Sequence, residues 1–466
     1  IFKDVKCYGT NPLMGELLRI NPFSFPAGIH VLEHIDRIVE IFNVCWPMYA
    51  AMPAVLKESI ENAYKSSGWD LDLSINEKVD NLYPTFDDVL RELDKTINSS
   101  EYSSDTKGDY IGSLSTRIKS LTNGINGRVF VSDEMDLKNL FDKSAIIDIS
   151  RVGAVETKSL IMGLVVMKLQ EYRMSNADEM NSELKHITVL EEAHNLLKKT
   201  STEQSADSSN MVGKSVEMLT NAIAEIRTYG EGFIIVDQAP NLLDSAAIRN
   251  TNTKIVLRLP ESTDREITGG SIALQDTQFD ELSKLPTGVA AVYQNDWQEA
   301  VLCQMPVYEV FDYSLDKEEV MLPAVKKAKE ENDVLLHWLI KREIEPEKKD
   351  EIVERILKSN AAAKVRKDLI INIDKRNNAY EWAVADFIKK NYDLSDVFRD
   401  TQRDKWSDLS ALSNIMISNL QNEFAGFDEI EMLAILYYVC RIEHELYPKH
   451  KLIEQLRVEY LREKVF

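Results

Sequence analysis

The sequence predicts an α/β fold: a doubly wound parallel sheet with a helical insertion, followed by an all-α C-terminal domain. Between about 125 and 305, short runs of β-branched and aliphatic residues alternate with longer segments of helical periodicity. That alternation is typical of a parallel sheet with helices on both faces. We predict strands at 145–149, 186–190, 232–238, 253–259, 289–293 and 300–304. After Pro306, charged and apolar residues alternate at helical spacing and convincing strand patterns cease.

The elements follow in order along the chain. Residues 1–25 carry turn signals and look irregular or strand-like, and helical spacing runs from 31 to 67. A second helix is predicted at 86–97 after Pro84-Thr85, which suits an N-cap, and 98–107 reads as a loop. Helices at about 156–174 and 212–226 separate the central strands. We therefore predict three segments: 1–125 (core with a helical insertion), 126–310 (the main core) and 311–466 (an α-helical domain for packing and assembly).

The composition of the chain limits the kinds of partner that it can bind. The 466 residues include 55 basic and 77 acidic side chains, a formal net charge of −22, and 44% are hydrophobic. The length allows about three domains with full cores. A strongly acidic chain argues against nucleic-acid binding through its overall field. A local basic ring inside an oligomer stays open, since a net count does not reveal it.

The cysteine pattern points to a reducing compartment. The four cysteines are widely scattered and form no CxxC pair, and the seven histidines form no ligand cluster. This favours a cytoplasmic protein with buried thiols and without a zinc site. No apolar run approaches the length of a membrane span, and we expect no membrane contact. The chain opens with Ile1-Phe2-Lys3, so we expect it to be part of something longer.

Two adjacent carboxylates end one of the predicted strands. Residues 186–190 (HITVL) run directly into Glu191 and Glu192. Ligands of parallel sheets bind at the carboxyl ends of the strands. In a Walker B motif the first acid holds Mg²⁺, directly or through water, and the second is the general base for the attacking water. The pattern thus indicates an ATPase that uses ATP and Mg²⁺; the alternative is a core strand capped by solvated glutamates.

A phosphate-binding loop is the missing partner of that motif. The nearest match to GxxxxGK[ST] is 208–215, which ends in Gly213-Lys214-Ser215 but has Ser208 in place of the first glycine. It follows a polar loop and enters an amphipathic helix, so its backbone amides would not form a phosphate nest. We reject this match. Either the chain is not an NTPase, or the true loop lies upstream of Ile1.

Polar residues at two other strand ends are further candidates. Gln238 ends the strand at 232–238 and occupies the place of a sensor for the γ-phosphate. The alternative is an ordinary strand-end turn into Ala239-Pro240. Asp148 ends the strand at 145–149 and is either a carboxylate supporting the site or a helix cap.

Basic residues near the acidic pair complete the candidate set. Arg227, Arg249, Arg258 and Arg265 lie within forty residues of one another. An arginine at a subunit edge can reach a neighbour's γ-phosphate and stabilise the transition state, whereas a single arginine is commonly a surface or salt-bridge residue. The loop at 198–201 (Lys198-Lys199-Thr200-Ser201) is either a channel loop that touches phosphates or a solvated loop.

Several of these runs together resemble a known family. They are VLEEAHN at 189–195, RTYGEG at 227–232, FIIVDQ at 233–238 followed by Ala239-Pro240, and KIVLRLP at 254–260 followed by Thr263-Asp264-Arg265. The ordered set, over roughly 1–310, is similar to the HerA/FtsK class of P-loop translocases, and more closely to bacterial HerA-like ATPases.

The resemblance implies a P-loop NTPase (RecA/FtsK-like) core in a homo-hexameric ring that hydrolyses ATP between subunits and moves double-stranded DNA. It would make Glu192 the base, Glu191 the Mg²⁺ ligand and Gln238 the sensor, with Arg265 or Arg258 as the finger and Arg227 and Arg249 in reserve at the nucleotide. It also implies an effector subunit, a nuclease or an NADase, in anti-phage defence.

Two features depart from the family pattern. Glu191 stands where Asp is usual, and the family core explains neither the net charge of −22 nor the helical C-terminal region. Two other functions stay open from the sequence. One is a conjugation or secretion ATPase that moves protein or single-stranded DNA. The other is a ring scaffold for an effector that does not hydrolyse ATP.

Overall fold

The computed structural model describes residues 5–12, 15–46, 48–177, 181–199, 208–307, 321–341, 343–398, 408–446 and 451–465. Its strands are β1 (Lys6–Gly9), β2 (Glu16–Leu17), β3 (Trp69–Asp70), β4 (Ile75–Asn76), β5 (Ala145–Asp148), β6 (His186–Glu191), β7 (Glu231–Val236), β8 (Thr253–Val256), β9 (Val289–Gln294) and β10 (Val301–Gln304).

Helices make up most of the remaining described structure. They are α1 (Val31–Cys45), α2 (Met52–Ser66), α3 (Phe86–Ser99), α4 (Ser104–Tyr110), α5 (Thr116–Thr122), α6 (Asn126–Val129), α7 (Leu137–Phe141), α8 (Val155–Ser175), α9 (Ser208–Glu225), α10 (Ser245–Asn250), α11 (Ser262–Ser271), α12 (Met321–Leu339), α13 (Lys349–Lys358), α14 (Ala363–Ile371), α15 (Asn378–Asn391), α16 (Leu409–Leu420), α17 (Glu429–Leu446), α18 (Lys451–Gln455) and α19 (Arg462–Val465). Among the described helices, none is long and apolar enough to cross a membrane.

The chain divides into two compact units. The first takes its residues from Ile1–Thr10, Phe25–Glu58 and Asp136–Asp316, and the second from Asn11–Ser24, Ser59–Met135 and Lys317–Phe466. The helices after 317 share a unit with residues 59–135, and the three consecutive segments that the sequence predicts stay a prediction.

Parallel strands and helices form the first unit. β1 pairs with β5, and β6 pairs with β7, both in parallel. Helix α1 buries its apolar stripe, which includes Ile35, Ile38 and Phe42, and it packs against α8. Gly163 of α8 allows this approach, since a Cβ there would lie 2.9 Å from Ile41 Cγ2. The α/β class and the helical C-terminal region are confirmed.

The last three strands differ from the prediction. β8 pairs with β9, and β9 with β10, in antiparallel fashion. A parallel pair needs a crossover of a dozen or more residues, and β9 is separated from β10 by residues 295–300 only. The parallel pairing expected for these strands is therefore wrong. The helical stretch expected at 31–67 is also two helices, α1 and α2, and α4 begins inside the loop expected at 98–107.

A buried carboxylate organises part of the second unit. Asp88 of α3 is 2% exposed and accepts the Thr85 N–H, 2.9 Å away, at the predicted helix start. It also accepts the backbone N–H groups of Ala363, at 2.8 Å, and Lys364, at 3.1 Å. One side chain thereby caps the start of its own helix and the start of α14, 275 residues later in the chain.

We expect Asp88→Ala to lower the free energy of unfolding by about 2–3 kcal/mol, because it leaves buried N–H groups without an acceptor. Urea unfolding followed by tryptophan fluorescence measures the loss. The control is Asp350→Ala, an exposed aspartate in the first turn of α13, for which we expect about 0.5 kcal/mol. Equal losses in the two variants would contradict the role given to Asp88.

Candidate active site

The register of two parallel strands assembles the candidate site. Leu190 pairs with Ile235, and Glu191 pairs with Val236, at the carboxyl ends of β6 and β7. The residues that follow, Glu192 on one strand and Asp237 on the other, therefore emerge at the same edge. This is the edge at which parallel sheets bind their ligands.

One face of this strand pair is open. Ile187, Val189, Ile234 and Val236 are 48%, 52%, 49% and 40% exposed. Alternate residues of a strand share a face, so Glu191, which is exposed as well, lies on this open face. The expectation that both faces of the strand are covered is wrong here, because no element within the described residues buries these side chains. The predicted Mg²⁺ ligand thus stands at the rim of an apolar surface.

Glu192 adopts a backbone conformation that is unusual for a residue with a side chain. Its φ of 50° and ψ of 48° lie in the left-handed region, directly after the last residue of β6. Gln238 donates a 2.6 Å hydrogen bond from Nε2 to Glu192 Oε1. The structure thus brings together the predicted base and the predicted sensor, which are 46 residues apart in the chain.

Two further residues join this cluster, and sequence reasoning missed both. Asp237 Oδ2 accepts the backbone N–H of His194 at 2.8 Å and lies 2.9 Å from His194 Nδ1. The same Nδ1 is 3.5 Å from Glu192 Oε2. Their positions in the sequence could have pointed to them, because His194 follows Glu192 by two residues and Asp237 directly precedes Gln238 at the same strand end.

The three side chains are close enough together for a cation site, but Asp237 already accepts two backbone N–H groups and Glu192 is bonded to Gln238. One ligand atom each of Glu192, His194 and Asp237 lies within 4.8 Å of the others. Carboxylate oxygens are the ligands that Mg²⁺ prefers, whereas an imidazole nitrogen suits transition metals better. Glu191, the residue predicted to hold Mg²⁺, is outside this group of three and faces the open side of the sheet.

The four candidate arginines have different surroundings. Arg265 is held within the unit: its guanidinium donates to Asp280 at 3.0 Å, and its side chain is only 14% exposed. Arg227, Arg249 and Arg258 are exposed, and Arg249 bonds weakly to a carbonyl of its own helix, α10. Arg258 is the second residue after β8. The structure brings none of the four into a described contact with Glu192.

Other candidates take less central positions. Asp148 accepts the backbone N–H of Ser150 at 2.9 Å, which is a local turn at the end of β5. Lys198 and Lys199 are exposed, and the Lys199 N–H donates to the Leu242 carbonyl at 2.7 Å. Thr200 and Ser201 of the predicted loop lie outside the described residues. Residues 208–215, which the sequence analysis rejected as a phosphate-binding loop, lie within helix α9 and form no loop there.

A buried ionic network holds the amino ends of the same two strands. Glu231, at the start of β7, is fully buried and lies 2.8 Å from His186 Nδ1, 2.6 Å from Thr188 Oγ1 and 2.9 Å from Arg173 Nε. Burial acts to raise the pKa of Glu231, but the hydrogen bonds from these three side chains outweigh it and hold that pKa below its usual range. The network joins β6, β7 and α8.

Comparison with known proteins supports the resemblance. The chain is 25% identical over 312 residues to a probable helicase of Methanocaldococcus jannaschii, covering 62% of this chain and 56% of that protein. It is 30% identical over 159 residues to the DNA double-strand break repair helicase HerA of Sulfolobus acidocaldarius, covering 32% of this chain and 30% of the relative. The predicted similarity to HerA-type proteins is confirmed. The chain spans a little over half of the first relative and under a third of the second.

The structure of VirB4 of Thermoanaerobacter pseudethanolicus aligns with a TM-score of 0.47 and 16% identity, covering 65% of this chain and 77% of that one. No protein-family model matches the chain.

The Glu231 network predicts a pH dependence of stability. A carboxyl whose pKa is lowered on folding stabilises the protein above its ordinary pKa, and this contribution is lost as the pH falls through the lowered value. We expect Glu231→Gln to cost about 1–3 kcal/mol at pH 7, and progressively less as the pH falls from the ordinary pKa of a glutamate through the lowered pKa of Glu231. Urea unfolding over a series of pH values from 7 downward measures the difference. The exposed Glu225→Gln is the matched control; a loss from Glu231→Gln that is independent of pH would contradict the assignment.

Proposed function

We propose that the protein is an ATPase of the HerA type. The observation that supports this best is the adjacent acidic pair, Glu191 and Glu192, at the carboxyl end of a parallel strand, with Gln238 bonded to Glu192 at 2.6 Å. Glu191 continues the strand, whereas Glu192 turns away from it, so the two carboxylates have different surroundings. That separation is suited to one metal-supporting role and one proton-accepting role.

Each residue then has a defined task. Glu192 accepts the proton of the attacking water, and its partly exposed side chain leaves room for that water. Gln238 orients the carboxylate through the 2.6 Å bond and senses the γ-phosphate. Glu191 would hold Mg²⁺, which would neutralise charge on the phosphates when bound. The proposal requires a phosphate-binding loop, and we find none among the described residues.

The substrate beyond ATP is proposed from similarity. HerA of Sulfolobus acidocaldarius is named as a DNA double-strand break repair helicase, and we propose that this chain likewise moves double-stranded DNA as a homo-hexamer. Exposed Lys198 and Lys199, on a segment tied to Leu242, supply local positive charge beside the site in a chain of net charge −22. Such residues would contact phosphates.

Three finer predictions rest on the resemblance and the composition alone. They are a nuclease or NADase effector, a role in anti-phage defence and a cytoplasmic location. They stay predictions.

We expect Glu192→Gln to lower ATP hydrolysis at least about 100-fold while nucleotide binding persists, because the amide keeps the shape of the carboxylate without its basicity. Phosphate release by the protein at its full encoded length, with and without duplex DNA, measures this. Glu225→Gln, an exposed glutamate at the end of α9, is the control. DNA-stimulated hydrolysis that survives Glu192→Gln would rule out Glu192 as the base.

The arginine finger is assigned to Arg258 rather than Arg265, because Arg265 is engaged by Asp280 within its own unit. We expect Arg258→Ala to lower hydrolysis by about 10³-fold. Mixing it with Glu192→Gln should restore part of the activity, since each variant supplies what the other lacks across an interface. Exposed Arg128→Ala is the control for charge loss. Mixed assemblies without restored activity would contradict a finger that acts between subunits.

A further inference from the structure

The carboxylate of Asp237 is nearly inaccessible although it borders the candidate site. Its side chain is 3% exposed, against 26% for His194 and 42% for Glu192. Asp237 Oδ1 accepts the N–H of Ala239 at 2.8 Å, and Oδ2 accepts the N–H of His194 at 2.8 Å. One buried carboxylate therefore fixes both the turn after β7 and the turn after Glu192.

The turn after Glu192 needs such an anchor. Its left-handed conformation is rare for a residue with a side chain. The Glu192 carbonyl accepts 2.9 Å hydrogen bonds from the backbone N–H and from Nδ2 of Asn195. The N–H of His194 lies inside this turn and points to Asp237. The backbone that carries the proposed base is thus tied to the end of the neighbouring strand.

The imidazole of His194 extends the anchor to the Glu192 side chain. Its Nδ1 lies 2.9 Å from Asp237 Oδ2 and 3.5 Å from Glu192 Oε2, while Glu192 Oε1 receives the bond from Gln238. Each carboxylate oxygen of Glu192 therefore faces its own partner. Asp237 fixes the imidazole, the imidazole lies against one side of the Glu192 carboxylate, and the Gln238 amide is hydrogen-bonded to its other oxygen.

We infer that Asp237 and His194 are positioning residues that hold Glu192 in its reactive orientation. The inference rests on the proposed role of Glu192 in hydrolysis. Asp237 and His194 touch neither nucleotide nor water in this scheme, so they act on the rate of the chemical step and not on binding. A displacement of about 1 Å in a reacting group costs on the order of 100-fold in rate.

The test compares truncating and conservative variants of the full-length protein. We expect Asp237→Ala and His194→Ala to lower kcat about 10-fold to 100-fold, with the KM for ATP within about threefold of wild type. Asp237→Asn keeps an oxygen that accepts the His194 N–H, and His194→Asn keeps a donor close to Nδ1. Both conservative variants should recover a large part of kcat. Asp244→Ala is the matched control, since this aspartate caps α10 through Ala246.

The outcomes distinguish a failure of the proposed function from a failure of the positioning inference. If Glu192→Gln still hydrolyses ATP, the proposed base is wrong, whatever the other variants do. If Glu192→Gln is inactive while Asp237→Ala and His194→Ala keep the wild-type kcat, the positioning inference fails and the proposed function stands. A loss of kcat matched by an equal loss of thermal stability, with no recovery in the conservative variants, would reduce the pair to a structural role and overturn the inference.

Discussion

The parallel register between β6 and β7 is the constraint on which the candidate site depends. Glu191 opposite Val236 brings the ends of both strands to one edge. A slip of one residue would exchange the two faces of a strand, placing Glu191 on the packed side. The buried Glu231 resists such a slip, because it bonds to both His186 and Thr188 of β6 from the first position of β7. The register of β6 with β7 thus produces both the charged network at the amino ends and the acidic cluster at the carboxyl ends.

Much of this arrangement could be predicted from the sequence. Two apolar runs that end in polar residues predict that Glu192 and Gln238 will meet, because parallel strands finish at a common edge. What the sequence did not show is the direction of the side chains in the turns. Asp237 and His194 meet at the turn where Glu192 takes a left-handed conformation, which nothing in the residue type of Glu192 requires.

The remaining differences have physical causes of the same kind. Antiparallel pairing of β9 with β10 was readable from the short connection at 295–300, since a parallel crossover does not fit into six residues. The open face of β6 was not readable, because an apolar strand has the same sequence whether or not its face is covered. The capping of α14 by Asp88 spans 275 residues, and no local pattern announces a contact of that range.

Adjacent residues at a strand end have different contacts because successive side chains of a strand point to opposite faces. Asp237, 3% exposed at its side chain, turns inward and fixes backbone, whereas its neighbour Gln238 is exposed and reaches Glu192. On β6 the same division separates Glu191, on the open face, from Glu192, which the left-handed turn directs toward β7. After β6, Glu191 keeps the direction given by its strand, whereas Glu192 is held by Gln238 from the other strand. After β7, Asp237 in turn bonds to the backbone N–H of His194, which follows β6. The geometry of such a site depends on both strand ends, and the buried Asp237 carboxylate is the group that ties the two turns together.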